Sequence, residues 1–123
     1  MNTTSTKTRN TLSATTLIGD PVVNRKGENV GKIEDLMIEP ERSRVSYAVL
    51  SFGGFLGMGN KLFAVPLQAM KLSREDKRLV LDVDKERLKN APGFDKDQWP
   101  DFADPAYNTK LYSYYGISYS PDH

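Results

Sequence analysis

Val45-Ser46-Tyr47-Ala48-Val49-Leu50-Ser51-Phe52-Gly53-Gly54-Phe55-Leu56-Gly57-Met58-Gly59-Asn60-Lys61-Leu62-Phe63-Ala64-Val65-Pro66-Leu67 is the stretch that decides how this chain folds. Side chains alternate across a strand, so Val45, Tyr47 and Val49 share one face and Ala48, Leu50 and Phe52 the other. The second run behaves alike, with Leu62 and Ala64 on one face and Phe63, Val65 and Leu67 on the other, until Pro66 ends the ladder. Strands apolar on both faces are buried on both. In a small barrel one face fills the interior, and a helix, the tail or another subunit must cover the outside. Between the runs, Gly53, Gly54, Gly57 and Gly59 set an unusual loop path that carries Phe55, Leu56 and Met58.

Upstream, Gly19-Asp20-Pro21 reads as a turn, Val22-Val23 as a short strand and Arg25 to Asn29 as a second turn. Val30 to Glu39 reads as a strand in which Leu36 and Ile38 keep a period of two, with Ile33 out of phase. A bulge near Gly31 reconciles them. Pro40 to Ser43 turns the chain into Val45. Downstream, Met70 and Leu72 form a short strand, Ser73 to Lys77 a charged turn, and Leu79, Leu81 and Val83 a last strand. Asp84 caps a helix over Lys85 to Asn90, stopped by Ala91-Pro92-Gly93. The fold class is therefore all-β, a small barrel with one short helix. Residues 12–94 form the barrel and 1–11 a disordered leader. Residues 95–123 make an extended arm rich in Trp99, Phe102, Tyr107, Tyr112, Tyr114, Tyr115 and Tyr119.

Composition narrows the function. Seventeen basic and sixteen acidic residues leave a net charge of +1, unlike a protein held by phosphate backbones, so nucleic acid is not an expected partner. The chain of 123 residues has no cysteine, which removes disulfides, thiol catalysis and cysteine-bound zinc, and its single histidine is His123. No apolar run reaches the roughly 18 residues of a membrane span, and Met1 to Asn10 lacks the apolar core of a secretory signal. The expected location is the cytoplasm.

Val30-Gly31-Lys32-Ile33-Glu34-Asp35-Leu36-Met37-Ile38, Tyr47-Ala48-Val49-Leu50-Ser51, the glycine segment Gly53 to Gly59 and Phe63-Ala64-Val65-Pro66 together resemble the PRC-barrel domain. That domain is shared by the H subunit of the purple bacterial photosynthetic reaction centre and the C-terminal half of a ribosome maturation factor. The resemblance covers Leu12 to Phe94, and the Trp99-Pro100 and Tyr114-Tyr115-Gly116 tail is similar to stand-alone bacterial members. It implies a small β-barrel acting as an adaptor or assembly module. The chain shows neither the membrane helix of the H subunit nor the partner domain of the maturation factor, so neither specific role transfers.

Motifs that would carry chemistry fail on their own terms. After Gly54 to Gly59 the P-loop requires Lys then Ser or Thr, and Asn60, Lys61 and Leu62 follow instead. The dinucleotide fingerprint breaks at Leu62 and runs into a strand. Asp95, Asp97, Asp101 and Asp104 resemble a calcium loop until Trp99 and Pro100 occupy ligand and glycine positions. Asp82, Asp84 and Glu86 read as a solvated face and a cap, and no internal histidine is present to activate a serine. No enzyme, cofactor or metal is expected. The chain reads as a protein-binding module that forms a homodimer, with Phe55, Leu56, Met58, Tyr47, Trp99, Tyr114 and Tyr115 as interaction residues. Its association surface is the outer face of Val45 to Phe52, the glycine loop or the aromatic arm. The alternative is a small-molecule barrel with a pocket bordered by Tyr47, Phe63 and Trp99.

Overall fold

The computed structural model describes residues 12–53, 60–73 and 78–118. Six strands, β1 (Pro21–Val23), β2 (Asn29–Glu39), β3 (Arg44–Gly53), β4 (Asn60–Pro66), β5 (Met70–Ser73) and β6 (Arg78–Leu81), form one sheet ordered β4-β3-β2-β1-β6-β5. All neighbours are antiparallel except β1 and β6, which run parallel. The edge strands β4 and β5 are consecutive in the chain, joined by a 3-10 turn over Leu67–Ala69. A link of three residues spans the two edges only if the sheet curls, and the result is a half-barrel.

Its interior is filled by Val22, Val30, Ile33, Ala48, Leu50, Phe63, Val65, Met70, Leu79 and Leu81, drawn from all six strands. Helix α1 (Ala14–Leu17) adds Leu17 at the margin, and α2 (Lys85–Lys89) inserts Leu88, followed by Ala91. Asp84 stands at the N-cap of α2, yet its carboxylate makes no capping bond and instead faces Lys26 Nζ at 3.4 Å.

Bulges reconcile the irregular apolar spacing of β2 with one interior. Against β1, the step from Pro21 to Val23 is matched on β2 by Lys32 to Asn29, so β2 carries an extra residue around Val30 and Gly31. This is the bulge expected near Gly31, whose φ is +114° and whose missing Cβ would lie 2.7 Å from the Ser51 carbonyl oxygen. Only glycine meets both conditions. A second extra residue, Glu34, brings Ile33 and Leu36 to the same face, opposite Leu50 and Ala48. A third, Ser46 on β3, lies between Tyr47 opposite Met37 and Val45 opposite Ile38.

The β1–β2 turn is held by buried Asn24. Its side-chain oxygen accepts from the Lys26 and Glu28 amides, and its NH2 donates to Glu28 Oε1 and to the Val83 carbonyl. One side chain thus closes its own turn and ties it to the chain leaving β6.

The arm after Phe94, expected to be extended, holds a ten-residue helix, α3 (Pro105–Tyr114). Asp104 caps it, accepting from the Ala106 amide at 3.0 Å, and Pro105 occupies the first turn, where its missing N–H costs nothing. Asp-Pro ahead of Tyr107, Leu111 and Tyr115 at four-residue spacing is the signal for it. The polar residues between those positions, including buried Asn108, hide the periodicity.

Candidate interaction surface

The two faces of β3 and β4 separate as their alternation requires. Ala48, Leu50, Phe63 and Val65 enter the interior, while Tyr47, Val49, Leu62 and Ala64 face outward into a second apolar cluster. That outer cluster is completed by the chain's own tail, through Phe94, Leu111 and Tyr112, with Phe102, Tyr107, Tyr115 and Ile117 half-buried around them. Within the chain, the tail therefore covers the outer face of this sheet.

Specific bonds fix the tail in register. Leu62 and Phe94 exchange backbone hydrogen bonds of 2.9 and 2.8 Å on the free edge of β4. This needs Gly93, since a Cβ there would stand 2.8 Å from the Phe63 ring and 2.9 Å from the Leu62 carbonyl oxygen. The Tyr47 hydroxyl donates to Asn108 Oδ1 at 2.5 Å, and Asn108 Nδ2 donates to the Phe102 carbonyl at 3.0 Å. Around this bond the Tyr47 ring meets Phe102 at 5.3 Å and Tyr112 edge-on at 5.9 Å, an arrangement aromatic quadrupoles favour. At the far end, Arg87 and Tyr114 form a reciprocal clasp. Each side chain donates to the other's backbone carbonyl at 2.6 Å, with the guanidinium 4.3 Å from the ring centroid.

Tyr115 lies where the inner and outer clusters meet, and its buried hydroxyl has no hydrogen-bond partner among the described residues. Burial raises its phenol pKa and pushes that of Tyr107 up to about 12. Both phenols therefore keep their protons to higher pH than a free tyrosine.

The interaction residues expected from sequence thus have different fates. Tyr47 is sealed under the tail. Tyr114 and Tyr115 hold the tail to α2 and the sheet. Trp99 stacks on Phe94 at 5.0 Å and donates to the Lys96 carbonyl, remaining 40% exposed. Phe55, Leu56 and Met58 lie outside the described residues. The alternative pocket of Tyr47, Phe63 and Trp99 is not formed, because Tyr47 and Phe63 point to opposite faces of the sheet.

A different concavity exists, one that sequence reasoning missed. A groove of about 400 Å³ runs between the β2–β3 turn and the tail, walled by Met37, Ile38, Glu39 and Arg44 on one side and by Phe102, Asn108 and Tyr112 on the other. Ile38, expected to pack beside Leu36, is 68% exposed at the rim, where β2 runs past the filled interior. The Glu39 carboxylate accepts from Arg44 Nε at 2.9 Å and Arg42 Nη1 at 2.6 Å, and the Arg44 bond is the main cause holding its pKa below the usual range. Among the described residues no group of three or more His, Cys, Asp or Glu side chains is placed to hold a metal. Among them, too, no helix is long and apolar enough to cross a membrane.

Fold and surface together define a small β-barrel module that carries its own polypeptide cover. The family model of the PRC-barrel domain matches residues 9–88, and the chain belongs to that family. The matched region contains all six strands and most of α2, and it stops before α3. No curated protein matches the sequence.

Proposed function

We propose that this chain is a non-catalytic, cytoplasmic adaptor that binds protein through its PRC barrel and assembles as a homodimer. The observation that carries the reading is the outer face of β3 and β4. A polypeptide segment from beyond the family-matched residues is bound there through an apolar cluster, one strand-edge bridge and a buried Tyr47–Asn108 bond. A barrel with this surface is suited to hold polypeptide, by burial for affinity and backbone pairing for register. The sequence adds support, since cysteine is absent and the one histidine is His123, leaving few nucleophile and base pairs to assemble.

Light scattering on the purified chain, together with affinity capture from cell extract, tests the proposal. A mass of two chains, or a partner recovered in stoichiometric amount, is expected. A chain that stays monomeric at high concentration and recovers no protein overturns it.

A further inference from the structure

We infer that the groove beside Ile38 is the self-association surface, occupied by a second copy of this chain. The inference rests on the homodimer reading above and names the surface that reading requires. With the outer face of β3 and β4 covered by the tail, Tyr47, Tyr114 and Tyr115, three of the residues expected to associate, are engaged within one chain. Ile38 is the most exposed of the large apolar side chains in the described residues, at 68%, and it stands at the rim of a groove of about 400 Å³. The patch therefore offers both a projecting apolar group and a recess with Met37 and Phe102 in its walls.

Its charges match the same occupant. Glu39, Glu41, Arg42 and Arg44 line the groove, two of each sign. A two-fold interface brings the same patch against itself, so residue i meets j and j meets i. A charge-balanced patch satisfies that rule, because the arginines of one copy meet Glu41 of the other. A purely acidic or purely basic patch would repel its own copy. The wall is also held in place before association. Ser46, the bulged residue of β3, donates its hydroxyl to the Met37 carbonyl at 3.3 Å, and Glu39 fixes both arginines. Little ordering cost then remains on the β2–β3 side.

Sedimentation of Ile38→Asp beside wild type tests the surface. Its exposure means the substitution leaves the fold intact, checked by unchanged circular dichroism, while dimerisation weakens about a hundredfold. Two charge reversals give a second, independent arm. Arg42→Glu and Glu41→Arg should each dissociate alone, and an equimolar mixture should recover the wild-type dimer mass. A dimer that withstands Ile38→Asp and both reversals overturns this surface while leaving the homodimer reading standing. A monomeric wild type overturns both.

Discussion

Tyr47 and Tyr115 carry the same buried hydroxyl into opposite surroundings. Removing the Tyr47 hydroxyl as Tyr47→Phe strands Asn108 Oδ1 between sheet and tail, at a cost of about 1–3 kcal/mol. Tyr115→Phe removes a hydroxyl that has no partner among the described residues, so stability should hold or rise by up to about 1 kcal/mol. Urea midpoints of the two variants moving in the same direction by similar amounts would contradict this assignment. Asn24→Ala should cost more than an ordinary surface change, about 2–3 kcal/mol, because four hydrogen bonds converge on that side chain. Gly31 was legible as a bulge position from its place among out-of-phase apolar residues. Ile38 was not, because alternation reports which side of a strand a residue takes and not where the strand outruns its core.

At the scale of elements, the tail and the sheet behave as a lock whose strength depends on pH. The Tyr107 phenol has a pKa pushed up to about 12 by burial, and that of Tyr115 is raised as well, against about 10 in the unfolded chain. Above pH 10 the unfolded state loses these protons while the folded state keeps them. The associated stability is therefore complete below about pH 10 and is lost as pH rises through 12. Denaturation midpoints should fall over that window, less steeply in Tyr115→Phe than in wild type; equal slopes would remove Tyr115 from the account. Glu39 acts at the other end. Its lowered pKa gives a stability contribution present above the unfolded carboxylate value and lost as pH falls through the folded one. The double alternation of β3 and β4 makes both buried faces readable from sequence. The helix inside the tail was not readable in the same way. Its ten residues bury one polar side chain, Asn108, beside Leu111 and Tyr112, so the apolar stripe is too narrow to stand out.

For the whole molecule, the family match takes in every strand of the barrel, and the tail from Phe94 onward lies beyond it. The expected fold class, a small PRC-type barrel, holds, and the order β4-β3-β2-β1-β6-β5 shows how six strands deliver one interior. The groove escaped sequence reasoning because its two walls, at Met37 to Arg44 and at Phe102 to Tyr112, are far apart in the chain. They meet only after the tail docks. Asn108→Ala should therefore loosen the tail and weaken self-association together, and a stable, fully dimeric variant would separate the two. One experiment reaches the central claim directly: isotope-filtered nuclear Overhauser measurement on an equal mixture of labelled and unlabelled chains. The account predicts Tyr47–Tyr112 contacts only within a chain and Ile38 contacts between chains. Tyr47–Tyr112 contacts that cross between chains, or an Ile38 methyl with none, would contradict it.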